Sequence, residues 1–240
     1  MPRLVPFVLC LLSLASPAEE PKPATPAMRE TSPGVYEIGG IHLDKNTNSL
    51  AFPCKVQMNE GGVEYLICTP RGSAHESVLV TDVQPTDIHF AMLLLGAKGA
   101  GLLAPAPGDA PPGQINAEYL SRAPRLKGDR ITLSAKWKDA AGKEQIAPIE
   151  DWVFNNREKK PASRGPWIYT GSMFAEEKFL AQMEGNIAAI VSNPAALINN
   201  PRKGSDNDQI WEVNGKKIPP VETPLEVTIK IEPAPEPKPK

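Results

Sequence analysis

Two segments far apart in the chain obey the same strict rule. In Ile131 to Lys138, Ile131, Leu133, Ala135 and Trp137 alternate with Thr132, Ser134, Lys136 and Lys138. In Leu225 to Ile231, Leu225, Val227, Ile229 and Ile231 alternate with Glu226, Thr228 and Lys230. Successive side chains of a strand point to opposite faces, so a period of two predicts a sheet with one dry face and one wet face. It favours antiparallel pairing, because parallel sheets are covered on both sides and read as unbroken apolar runs.

Shorter strands surround these two. Ile41 to Lys45 and Ser49 to Phe52 flank Asn46-Thr47-Asn48 and predict a hairpin. Lys55 to Met58 and Val63 to Cys68 flank Asn59 to Gly62 and predict a second. Trp167 to Thr170, Asn186 to Val191 and Ile210 to Val213 are further strands. Helices are few. One opens at Pro85, with Thr86 and Asp87 in its first turn, and stops at Gly96. Its Ile88, Phe90, Ala91, Met92, Leu93, Leu94 and Leu95 leave no polar face, which predicts burial on nearly every side. Ile149 to Lys159 and Phe174 to Met183 are two other helix candidates. The expected fold class is therefore α+β: a mainly antiparallel sheet with few helices, wrapped on one buried helix near residues 85–95.

Both ends of the 240-residue chain read differently. Arg3 followed by the apolar run Leu4 to Ala15, with small residues at Ser16 and Ala18, has the form of a secretory signal cleaved after Ala18. The run is short for a bilayer span, so no membrane span is expected after cleavage. Residues 19–34 form a Pro-rich linker and residues 232–240 a Pro-rich tail, which leaves 35–231 as a single domain. Leu103 to Gly113 is a Pro- and Gly-rich loop within it. A net charge of −2, with charged residues scattered along the chain, provides no basic field for nucleic acid.

Cleavage would leave two cysteines, Cys54 and Cys68, in an oxidising compartment that favours a disulfide. Hairpin register decides whether they meet. A three-residue turn, Glu60 to Gly62, sets them opposite one another, whereas a four-residue loop, Asn59 to Gly62, turns them to different faces. Hydrophobic matching of Val56 and Met58 with Tyr65 and Val63 favours the second register, and the two alternatives stay open. An iron–sulfur cluster normally needs four thiolates, so this chain alone would not hold one.

Candidate chemistry gathers between Cys68 and His89. His75, Glu76 and His89 are ligand types for a divalent metal such as zinc, although their spacing matches no standard motif. A plainer role for His75 and Glu76 is to tie the loop Arg71 to Ala74 to the helix start. A hydrolase would instead use Ser172, after Gly171, with His75 and Asp82 or Asp151, but no G-x-S-x-G elbow is present. Glu150 and Asp151 read as the first turn of a helix rather than a catalytic pair.

The run from Glu64 to Gly99 resembles the YdjY-like domain of exported bacterial proteins. Gly72, His75, Glu76 and Ser77 fill its Gly-x-x-His-Glu-Ser element, and Pro85, Ile88 and His89 fill its Pro-x-x-Ile-His helix. Further matches are Trp167 to Ser172, Glu184 to Pro201 and Ile210 to Asn214. The resemblance implies one exported domain, periplasmic or extracellular, of unassigned biochemical role. Some members carry ferredoxin-like labels, from which this chain departs by its cysteine count. The resulting expectation is a non-catalytic binding or accessory domain of the envelope, meeting an envelope protein or a small ligand. Its surface would be Cys68, Arg71, His75, Glu76, Ser77 and His89. The alternative is a metal-dependent protein using His75, Glu76 and His89.

Overall fold

The structure is a computed structural model that describes residues 27–102 and 126–233. The expected leader, the loop Leu103 to Gly113 and the tail beyond residue 233 lie outside the described residues. So does the expected linker as far as Pro26, and its later part, Met28–Ser32, is a strand.

Strands β1 (Met28–Ser32), β2 (Val35–Ile38), β3 (Ile41–Asp44) and β4 (Ser49–Val56) form an antiparallel meander. The expected β3–β4 hairpin is present, its turn held by the Asp44 carboxylate, which accepts from the Asn46 amide and the Thr47 hydroxyl. Then come β5 (Tyr65–Cys68), β6 (Ser77–Val80), helix α1 (Pro85–Leu94), β7 (Gly99–Leu102), β8 (Leu126–Lys138) and β9 (Glu144–Pro148). The chain continues through β10 (Val153–Asn155), β11 (Lys160–Pro161), β12 (Trp167–Tyr169), β13 (Phe174–Ala175), β14 (Lys178–Phe179) and helix α2 (Leu180–Glu184). It ends with β15 (Asn186–Ala189), β16 (Ile198–Asn199), β17 (Trp211–Val213) and β18 (Pro224–Ile231).

The expected α+β arrangement is overturned. The chain is mostly strand, and eight strands close on themselves as a barrel in the order β4, β18, β8, β12, β16, β15, β5, β6 and back to β4. Two neighbouring pairs, β5–β6 and β15–β16, are parallel, and the other six are antiparallel. Alternation reports only that one face is dry; a closed barrel and an open sheet packed on a helix satisfy it equally. The two patterned segments are β8 and β18, paired so that Leu225, Val227 and Ile229 face Trp137, Ala135 and Leu133, and Glu226 meets Lys136. On the other side of β18, Leu225, Val227 and Ile229 are matched by Cys54, Phe52 and Leu50 of β4. All but Trp137 are buried. The interior is thus filled by strand side chains rather than by a helix.

Pro53 marks where the edge of β4 forks. One side of β4 pairs with β18 throughout, whereas the other pairs with β3 up to Ala51 and with β6 from Lys55. The Pro53 carbonyl accepts the Thr81 hydroxyl in the gap between them. A residue with no N–H is tolerated there because that side of the strand has no ladder partner.

The second expected hairpin does not form, because β6 inserts between β4 and β5. Val80 of β6 has Lys55 on one side and Cys68 on the other, so the cysteines stand two strand spacings apart, about 10 Å. That exceeds the reach of a disulfide, about 7 Å between Cα atoms. Both thiols are buried and free.

Helix α1 is not enclosed by the sheet. Pro85, Ile88, Ala91 and Met92 form one buried stripe, while Leu93 on the opposite side is half exposed. The helix packs against α2 and β3 and reaches the end of β12 through His89. Expected helices elsewhere gave way to pairing. Ile149–Trp152 is a single 3₁₀ turn running into β10, which is held by β17. Phe174 to Phe179 is a tight hairpin, followed by the short α2.

Candidate functional site

Parallel neighbours need a connection that returns along the outside of the barrel. Here both connections are brief, Thr69 to Glu76 between β5 and β6, and Ile190 to Leu197 between β15 and β16. Each reaches across to a strand that the other one joins. The Ser73 amide donates to Asn186 Oδ1 at 3.1 Å, and Asn193 Nδ2 donates to the Tyr65 hydroxyl at 2.9 Å. A Cβ on Gly72 would sit 2.8 Å from the Gly185 carbonyl oxygen and 2.7 Å from Asn186 Oδ1. That crowding explains the glycine. The Ser77 hydroxyl, fully buried, donates to the Ser73 carbonyl at 2.7 Å and shuts the turn.

The expected surface residues therefore divide. Cys68 and Ser77 are enclosed and serve the loop from inside, and burial pushes the Cys68 thiol up. Arg71 and His75 are exposed. His75 Nε2 meets Glu76 Oε1 at 3.2 Å, with the His75 side chain 78% exposed, so the pair does not tie the loop to α1. Nearby, Glu64 is held above the usual carboxylate range, first by burial and then by Glu76 and Asp208.

His89 lies elsewhere. His75 precedes β6 and His89 follows it on α1, with a strand rising about 10 Å between them. Among the described residues no three His, Cys, Asp or Glu side chains gather closely enough to hold a metal ion. His75, Glu76 and His89 are therefore not brought together. The hydrolase set does not assemble either. Ser172 is buried at φ 61°, its hydroxyl donating to the Ala195 carbonyl at 2.6 Å and accepting from the Ala181 amide at 3.1 Å. Asp151 is gripped through both oxygens by Arg164.

What His89 meets is Tyr169, the last residue of β12. Its Nδ1 and the Tyr169 hydroxyl are 2.7 Å apart. Phe179 packs on the imidazole with ring centroids 4.8 Å apart, and Gly171 and Gly99 pass close by as bare backbone. Burial lowers the His89 pKa, so the ring is neutral near pH 7. Burial, and then the Asp129 charge, raise the Tyr169 pKa and keep the phenol protonated. Tyr169 is wholly buried, and among the described residues its hydroxyl has no other hydrogen-bond partner than Nδ1. The phenol therefore donates to Nδ1, which leaves Nε2 carrying the proton as an outward donor. This end of the barrel combines one oriented N–H, an aromatic wall and neighbouring apolar side chains. It can recognise a ligand; among the described residues no activated nucleophile stands beside it.

Tyr169 and Phe179 escaped the sequence reading. Trp167 to Thr170 was legible as a strand, but nothing in its pattern points eighty residues back to His89. The YdjY domain model matches residues 41–230 of the chain. No curated protein and no solved structure matches it.

Proposed function

The chain belongs to the YdjY-domain family, the match covering most of its length, and from that premise we propose an exported, non-catalytic binding or accessory domain of the cell envelope. One observation supports the reading above others: the groups best suited to covalent or acid–base chemistry are committed to internal bonds. Ser172 bridges Ala195 and Ala181, Asp151 holds Arg164, Glu150 holds Arg202 and the Trp167 indole, and both thiols are buried. The histidines are the exceptions: His75 stands exposed against Glu76, and the bond of His89 to Tyr169 fixes it as a donor rather than a base. No helix among the described residues is long and apolar enough to cross a membrane. The leader pattern at residues 1–18 supports export.

The test is fractionation of the producing cell followed by amino-terminal sequencing. A chain starting at Glu19 in the extracytoplasmic fraction is the expected result. An intact chain retained in the cytoplasm refutes export. Any turnover by the purified chain that His89→Ala abolishes without loss of folding refutes the non-catalytic reading.

A further inference from the structure

The hairpin β13–β14 turns through Glu176 and Glu177, at φ 48° and 65°. Two-residue turns with both central φ values positive strongly prefer Asn-Gly, and side chains as long as glutamate are strained there. The turn nevertheless presents two carboxylates beside Phe174, which is 65% exposed and stacks on Phe179 with centroids 5.1 Å apart. Phe179 stacks in turn on His89.

The helices extend this surface. Gln182 bonds to Gln84 and Thr86, while Phe179 meets His89, so α1 and α2 run antiparallel. Leu93 lies one turn beyond His89, on the face of the residue four positions earlier, whereas Met183 lies at the other end of the pair, next to Gln182 and its partner Gln84. Six large hydrophobic side chains stand well exposed among the described residues, and two of them, Leu93 and Phe174, flank the stack of His89 on Phe179. Besides His89, the ionisable groups on these elements, with Lys98 just past α1, are Asp87, Glu176, Glu177, Glu184, Lys98 and Lys178, an excess of two negative charges. Burial raises the Asp87 pKa.

We propose that this face docks a basic, apolar-anchored segment of a partner protein. Phe174 and Leu93 receive the anchor, Glu176 and Glu177 receive its cationic flank, and the His89 Nε2–H binds a backbone carbonyl. Charge complementarity selects this occupant: paired carboxylates at the turn beside the exposed Phe174 repel anionic lipid and a second copy of the same turn alike. The inference rests on the binding-domain reading, but not on export.

The probe is a labelled short peptide of leucine and lysine, followed by fluorescence anisotropy against the purified chain. Saturable binding is expected to weaken about tenfold in Phe174→Ser and in Glu176→Lys/Glu177→Lys, and to weaken with salt. Ile146→Ser, which removes an equally exposed side chain elsewhere, should leave it unchanged. Three results overturn the proposal: no binding by the folded chain, equal binding of a leucine–glutamate peptide, or equal loss in Ile146→Ser. Self-association abolished by Phe174→Ser also overturns it, in favour of a second copy. An exported chain that fails here defeats the surface alone, whereas a cytoplasmic chain that binds defeats only the export reading.

Discussion

Glu150 and Arg202 lie 52 positions apart and meet inside the fold, Nη2 to Oε1 at 3.0 Å, with side chains 5% and 9% exposed. The same Oε1 accepts the Trp167 indole N–H at 3.1 Å, and the guanidinium lies over that ring, 4.9 Å from its centroid. Arg202 donates further to the Ser163 and Gly165 carbonyls and to Asn200 Oδ1. Replacing Glu150 by Leu leaves three neutral acceptors around the cation but removes its only counter-charge among the described residues, and it orphans the indole. Breaking a buried pair from one side costs about 3–5 kcal/mol. For a domain of this size that amounts to about 6–20 °C in Tm, at about 2–4 °C per kcal/mol. Arg202→Met should cost a comparable amount, by stranding the carboxylate. The double variant Glu150→Leu/Arg202→Met should lose less than the sum of the two, since neither charge is left buried alone, although the indole and the Arg202 acceptors stay unpartnered. Urea unfolding followed by tryptophan fluorescence gives all four corners of the cycle. Single losses below about 1 kcal/mol, or a double loss equal to the sum, would refute a pair coupled by burial.

Other expectations use different handles. Cys54 and Cys68 should resist a thiol reagent in the folded chain and both react after denaturation without reductant; a denatured chain with no free thiol would mean a bridge. Burial holds the His89 pKa below its usual value, so the unfolded chain takes up a proton at a higher pH than the folded one. Stability should be full above about pH 6.5, the unfolded value, and fall as pH drops toward the folded pKa. His89→Gln should remove that slope, and urea midpoints that keep the same pH dependence would sink the assignment. At Gly128, φ 150° and the nearby Tyr169 carbonyl oxygen leave no room for a Cβ, so Gly128→Ala should cost about 3 kcal/mol or more. Gly142→Ala, also at positive φ but in open space, should cost only about 1 kcal/mol by the same thermal melt.

The strands were legible where one face is wet. β8 and β18 could be read from alternation because their outer faces carry Lys136, Glu226 and Lys230. β5 and β15 were legible as strands too, although their partners were not, whereas Ser77 to Val80 of β6 is buried at every residue and shows no alternation. That is also why β6 went unseen between β4 and β5, and why both cysteine registers rested on a pairing that does not exist. Helix α1 was placed correctly in the chain and wrongly in space: its composition lacks a polar face, but Leu93 stays outside because the barrel interior is already full. Of the site, Gly72, Ser77 and His89 were visible as residue types. Their partners Gly185, Ser73 and Tyr169 depend on the crossovers and on barrel closure, which no local pattern encodes.

Closure has a consequence for synthesis. Strand β4 is laid down early, yet its principal neighbour β18 comes about 170 residues later. Until Pro224–Ile231 is available, β4 and β8 each carry a long uncovered flank of amide and carbonyl groups, prone to pair with other chains. A nascent molecule must therefore be kept apart from its siblings until almost all of it has been made, and a premature stop even a dozen codons upstream of Ile231 would leave a ring that cannot shut.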